Sequence, residues 1–170
     1  MISGSVRSFS SDWAGKELTY GVYGPGMAFG EMSLDGGSRS ASVITVEPSE
    51  CALIDHDTIR KQLAVSPDFA LALVELVISR AREATKSAKQ LALLDVYGRL
   101  RSFLNTMHAS RAASAGPAHS LKKLSQKDIA SHIGSSREMV SRLFRDLENG
   151  GYIEVKKSQV TVKKTLPERW

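Results

Sequence analysis

Gln126-Lys127-Asp128-Ile129-Ala130-Ser131-His132-Ile133-Gly134-Ser135-Ser136-Arg137-Glu138-Met139-Val140-Ser141-Arg142-Leu143-Phe144-Arg145 is the stretch that decides the fold. It has the anatomy of a helix-turn-helix. Ser125 precedes the first helix with Asp128 three residues on, and Ser135 precedes the second with Glu138 three residues on, the spacing of a capping box. Ile129 and Ile133 form one apolar face, and Val140 and Leu143 form the facing one. Ala130 is small where two helices cross, and Gly134 falls in the turn, where a positive φ is expected.

Beyond Asn149-Gly150-Gly151, the runs Tyr152-Ile153-Glu154-Val155 and Gln159-Val160-Thr161-Val162 alternate apolar and polar residues around Lys156-Lys157-Ser158. That pattern predicts a β-hairpin wing after the second helix. Arg137, Glu138, Ser141 and Arg142 occupy the N-terminal half of that helix, off its apolar face. Arginine presents paired donors to guanine O6 and N7, and a glutamate accepts from cytosine N4, so these four are the candidate base-reading residues. Ser125, Lys127, Ser136, Arg145, Lys156 and Lys157 are placed for phosphates, which set register without reading sequence. The competing reading is a helical hairpin that pairs only with protein.

Charge favours the nucleic-acid reading. The 170 residues carry 23 Lys+Arg against 18 Asp+Glu, a net charge of +5. Up to His119 there are 12 basic and 12 acidic side chains; from Ser120 onward there are 11 and 6. The whole excess lies in the last 51 residues, which suggests a polyanion-binding module joined to a neutral one.

Working upstream, Asp95 is a plausible N-cap for a helix from Val96 to His108, and a small, polar loop is expected over 109–117. Before Asp95, Ser66-Pro67-Asp68 opens a long helix, with serine at the N-cap and proline at the first helical position. Along it Ala70, Val74, Val77, Ala81, Ala84, Ala88 and Leu91 recur at alternating spacings of four and three, a heptad seam suited to a second copy of the chain. Leu71, Leu73, Leu76 and Ile78 lie off the seam and could pack on the chain's own strands. Asp57 can cap a short helix through Leu63. Earlier still, Ser5–Ser10, Glu17–Val22, Ser42–Val46 and Cys51–Ile54 read as short strands between Gly, Asp, Ser and Pro punctuation, an antiparallel roll or barrel.

Three features together resemble the cyclic-AMP receptor/fumarate–nitrate regulator (Crp/Fnr) family of bacterial transcription factors. They are the helix-turn-helix, the long preceding helix ending in Leu94-Asp95-Val96-Tyr97-Gly98-Arg99, and Phe29-Gly30-Glu31-Met32-Ser33-Leu34 with Arg39-Ser40-Ala41-Ser42-Val43. The resemblance covers nearly the whole chain in order and begins at the family's third or fourth roll strand. It implies an α+β fold: a partial antiparallel β-roll of the cyclic-nucleotide-binding kind over 1–66, a dimerisation helix over 67–94, and a winged helix-turn-helix over 95–170. It further implies a cytoplasmic homodimer on a palindromic operator in double-stranded DNA, working with RNA polymerase. In cyclic-nucleotide-binding members the matching Glu contacts the ribose 2′-hydroxyl and the matching Arg and Ser hold the cyclic phosphate. Those roles fall here to Glu31, Arg39 and Ser40, with Gly30 beside them and Thr85 of the long helix toward the base; cyclic AMP and cyclic GMP are the candidate effectors. Residue chemistry agrees, since glycines admit backbone N–H groups to a phosphate and Arg39 adds a fork of donors.

Two alternatives stay open: a ligand-independent or differently liganded regulator of the same architecture, and a nucleotide-sensing interaction module that does not bind DNA. Enzyme chemistry is not expected. The single cysteine, Cys51, excludes an internal disulfide, and His56, His108, His119 and His132 have no metal-ligand spacing. No Walker loop or nucleophile–base set occurs, and no apolar run has the length of a membrane span.

Overall fold

The computed structural model describes residues 1–112, 124–156 and 159–170. Three strands open the chain: β1 (Val6–Ser11), β2 (Glu17–Tyr23) and β3 (Ser42–Thr45), in the order β2-β1-β3 and antiparallel throughout. The register shifts between Ser8 and Phe9 of β1, leaving Tyr20 of β2 as the extra residue of a bulge that bends β2. A 3₁₀ turn over Glu31–Asp35 stands between β2 and β3, entered at Gly30 and left at Gly36, both with positive φ. Inside the roll the buried residues are few: Ser5, Val6, Ser8, Tyr23 and Gly24, with the Ser8 hydroxyl 3.2 Å from the Tyr23 hydroxyl. Strand β3 is exposed along its length.

The expected fourth strand at Cys51–Ile54 does not form. Its neighbourhood offers one isolated bridge, Ser3 to Glu50, and Leu53 is 97% exposed: a short apolar run makes no strand without a partner ladder. Helix α1 (His56–Val65) starts earlier than Asp57 implies, because Asp55, in extended backbone, accepts from the Thr58 amide at 2.7 Å. Asp57 sits inside the first turn, where an acidic side chain still suits the helix dipole.

Helix α2 (Pro67–Leu93) begins as its sequence predicts, with the Ser66 hydroxyl accepting from the Phe69 amide and proline in the first turn. Its 27 residues make a rod of about 40 Å. Phe69, Leu73, Leu76 and Arg80 are half-buried, whereas Val74, Val77, Ala81, Ala84 and Ala88 of the seam are exposed. Leu71 and Ile78 are also exposed, so only Leu73 and Leu76 of the off-seam leucines and isoleucine are covered. The rod breaks at Leu94, and Asp95 accepts from the Gly98 amide to open α3 (Val96–Ala112). Helix α3 runs past His108, so the start of the expected 109–117 loop is helical; the remainder lies outside the described residues.

Helices α4 (Gln126–Ile133) and α5 (Arg137–Asn149) and the antiparallel strands β4 (Ile153–Lys156) and β5 (Gln159–Val162) complete the chain. The principal core lies here. Tyr97, Leu100 and Leu104 of α3 meet Ile129 and Ile133 of α4, Val140, Leu143, Phe144 and Leu147 of α5, Ile153 and Val160 of the wing, and Leu166 beyond it. The C-terminal tail is tied back by the Tyr97 hydroxyl, which donates to the Pro167 carbonyl at 2.8 Å, and by Trp170 against Tyr97 and Tyr152.

Candidate nucleic-acid interface and effector loop

Local capping sets the geometry of the two recognition elements. Ser125 forms the full capping box: its hydroxyl accepts from the Asp128 amide, and Asp128 Oδ2 accepts from the Ser125 amide at 2.9 Å and its hydroxyl at 2.7 Å. The Ser125 hydroxyl therefore spends its proton on the cap. Gly134 closes α4 with φ 62°, where a Cβ would meet Leu91 Cδ2 at 3.1 Å. The cap of α5 is Ser136, not the expected Ser135. Ser135 is buried and its amide donates back to Ala130 at the end of α4, while the Ser136 hydroxyl accepts from the Met139 amide at 3.2 Å. Only three residues thus separate the two helices.

The resulting α5 is sharply two-sided. Val140, Leu143, Phe144 and Leu147 are buried; Arg137, Glu138, Arg142 and Arg145 are exposed and Ser141 is half-exposed. Arg137, Glu138, Ser141 and Arg142 fall at i, i+1, i+4 and i+5, one face of the helix's first turns. Glu138 is held below the usual carboxylate range by its own backbone amide and by the Ser136 hydroxyl, so it is an ionised acceptor at neutral pH.

Lys127 is exposed at the start of α4, its Nζ 3.9 Å from Glu17 of β2. In the wing, Glu154 stands between Lys156 and Lys163, with Lys163 Nζ at 2.8 Å, and the two ammonium groups pull its carboxyl down to about 2. Lys157 lies outside the described residues.

The effector candidates are less tightly gathered. Glu31 points to α2, where Arg80 Nε lies 3.6 Å from Glu31 Oε1 and Arg80 Nη2 donates to the Ala28 carbonyl at 3.0 Å. The same guanidinium covers the Tyr23 ring at 4.4 Å, and Tyr23 stacks on Phe29. Arg39 and Ser40 are exposed, with the Ser40 hydroxyl 3.4 Å from Met32 Sδ. Thr85 donates to Ala81 of its own helix at 2.9 Å.

Arg80 escaped the reading of the sequence, although a signal existed: it is the charged residue on the covered stripe that carries Leu73 and Leu76. Its Nε is buried with no hydrogen-bond partner. A guanidinium donor met only by Glu31 at ion-pair distance is the kind of group that receives phosphate or hydroxyl oxygens. Glu31, Arg39, Ser40 and Arg80 are the residues that would hold a nucleotide.

Residues 1–66 match the model of the cyclic nucleotide-binding domain, and residues 98–165 match that of the Crp-like helix-turn-helix domain. Among curated relatives, the cAMP-activated global transcriptional regulator CRP of Haemophilus influenzae is 30% identical over 164 residues, covering 95% of this chain and 73% of that protein. A CRP-like cAMP-activated global transcriptional regulator of Mycobacterium tuberculosis is 27% identical over the same shares of each chain. The structure of the c-di-GMP responsive global regulator CLP of Xanthomonas campestris superposes with a TM-score of 0.74 at 24% identity, covering 96% of this chain and 83% of that one. A CRP/FNR-family regulator from Thermus thermophilus gives 0.71 at 22%, over 96% and 81%.

Proposed function

The chain belongs to the Crp/Fnr family of transcription regulators, and from that premise we propose that it binds a two-fold DNA operator as a homodimer under control of an effector held by its roll. One observation carries the DNA-binding part. Helix α5 buries its apolar side in the winged-helix core and turns Arg137, Glu138 and Arg142 outward from its capped N-terminal end. A second helix N-terminus entering the major groove reads base edges with those positions. Lys127, Ser136, Arg145 and the wing lysines Lys156 and Lys157 take the phosphates.

Dimerisation rests on the α2 seam, whose apolar residues Val74, Val77, Ala81, Ala84 and Ala88 face solvent in a single chain. A dimer formed through two such seams has to set its recognition helices about 34 Å apart to meet half-sites one turn of DNA apart. For the effector, Glu31 and Arg80 are the built part of the site, with Arg39 and Ser40 at its exposed edge. The relatives named above are described as cAMP-activated or c-di-GMP responsive, which makes a cyclic nucleotide the class to test first. As a family member the dimer would act in the cytoplasm together with RNA polymerase.

The deciding experiment is a binding titration of the full chain on a selected operator and on random duplex. Arg142→Ala is expected to lose about 1–3 kcal/mol on the operator and little on random DNA, whereas Lys156→Ala weakens both alike. Equal loss on both DNAs for Arg142→Ala contradicts base reading. Calorimetry with cyclic AMP, cyclic GMP and cyclic di-GMP tests the effector: one should give heat that Arg80→Ala removes, and no heat from any of them ends the cyclic-nucleotide reading.

A further inference from the structure

Ser131 is a polar residue of α4, 5% exposed, and its hydroxyl finds its partners outside the winged helix. Thr19 Oγ1 of β2 lies at 2.7 Å, and Arg7 Nη1 of β1 donates to it at 3.1 Å. The same Arg7 donates to Thr19 at 3.0 Å and pairs through Nη2 with Glu17 at 2.7 Å, its guanidinium lying 4.4 Å over the Phe9 ring. With its side chain 14% exposed, Arg7 is fixed on every side, and a planar fork so held is a rigid arm rather than a surface charge.

The same last turn of α4 is also held from the hinge, two residues on from Ser131. Arg99 Nε donates to the Ile133 carbonyl at 2.7 Å and Arg99 Nη1 to the Leu94 carbonyl at 2.8 Å, joining the C-terminal ends of α4 and α2. Leu18 of β2 and Leu91 of α2 both come close to the Gly134 turn. Since α5 packs on α4 through the shared core, α5 goes where α4 is put.

We propose that Arg7 and Thr19 of the roll are positioning residues for operator recognition, acting through Ser131 to hold α4, and with it α5, at the angle the two-fold operator requires. The sign follows from the surface that stays open: with the grip made, Arg137, Glu138 and Arg142 remain exposed, so the grip is compatible with DNA and sets the angle of the reading face instead of covering it. A palindrome demands that both recognition helices stand at one separation and angle. A single half-site makes no such demand. Loosening the grip therefore costs affinity on the palindrome alone.

This inference rests on the two-fold operator reading, and the experiment separates the two. The full chain is titrated by fluorescence anisotropy on its selected palindrome, on the same duplex with one half-site scrambled, and on random DNA. If the wild type shows no preference for the palindrome, the operator reading fails and the positioning role falls with it. If it does, Arg7→Lys, which keeps the charge but not the fork, is expected to lose about tenfold on the palindrome, the size of one charge-assisted hydrogen bond. Single-half-site and random DNA should change less than about twofold. Ser131→Ala should lose a similar factor, and the double variant no more than either alone, because one network is being broken. Thr19→Val, which removes only a hydroxyl from the roll, provides the same readout should Arg7→Lys melt early. Equal loss on all three DNAs, an unchanged palindrome affinity, or a tighter one would each overturn the positioning role.

Discussion

Replacing Glu154 with glutamine should make the protein bind DNA more tightly, and by an amount that salt reveals. The carboxylate sits between Lys156 and Lys163, both within ion-pair distance, and with its pKa pulled down to about 2 it is fully ionised at neutral pH. It therefore cancels one positive charge on a wing proposed to lie against phosphates. Glutamine keeps the shape and removes that charge, freeing one lysine per protomer for a phosphate. Each added phosphate contact steepens the dependence of log K on log salt by about 0.9, so two protomers add about 1.8. Over a fourfold rise from about 50 to about 200 mM salt, the variant's advantage over the wild type should shrink about twelvefold. Because a phosphate contact is blind to sequence, the gain should be equal on operator and random duplex. Anisotropy titrations at four salt concentrations measure both slopes. A gain confined to the operator, or an unchanged slope, would refute the placing of the wing lysines on phosphates.

Further outcomes follow from other parts of the structure. Val77→Glu puts a charge on the exposed α2 seam without touching the half-buried Leu73 and Leu76, so sedimentation should show a folded monomer; a persisting dimer would move the interface elsewhere. His132 is half-buried against Phe103, and desolvation lowers its imidazole below the ordinary value, outweighing the Asp128 carbonyl that raises it. Its folded pKa being depressed, its stabilising contribution is complete above about pH 6.5 and is lost as pH falls toward the folded value. Denaturant midpoints of the wild type should therefore drop between pH 7.5 and 5.5, and those of His132→Phe should drop less. Gly134→Ala forces a Cβ into left-handed backbone and to 3.1 Å from Leu91 Cδ2, so it should cost at least about 1 kcal/mol of stability, read as a lower melting temperature.

Why the helix-turn-helix can be read from the chain and the grip on it cannot is a matter of range. Capping, the αL turn at Gly134 and the facing of Ile129 and Ile133 to Val140 and Leu143 are settled within a few residues, and so is the pairing of β4 with β5. Even there the reading slips by one residue at α5. Ser135 and Ser136 both stand near the helix start, and Ser135 has the Glu three residues on. A cap, however, needs only the backbone amide at that spacing, and Met139 supplies it as well as Glu138 would. Cys51–Ile54 fails for the complementary reason, that a strand is a property of two segments and only one of them is in view.

The contacts that join the units lie furthest from local pattern. Ser131 and its partner Arg7 are 124 residues apart, and Arg80 reaches Glu31 and Ala28 across about fifty. Both nonetheless leave a trace, a polar or charged residue on a helix stripe that is otherwise covered: Ser131 beside Ile129, Ala130 and Ile133, and Arg80 in line with Leu73 and Leu76. Burying such a group without a partner is costly, so its presence on a covered stripe means the partner comes from elsewhere in the fold. Ser131 is met by the roll. Arg80 is only partly met, its Nε still without a hydrogen-bond partner beside Glu31. The difference between the two is one of partners: Ser131 is fully met across the joint between roll and winged helix, whereas Arg80 Nε has only the Glu31 carboxylate at 3.6 Å.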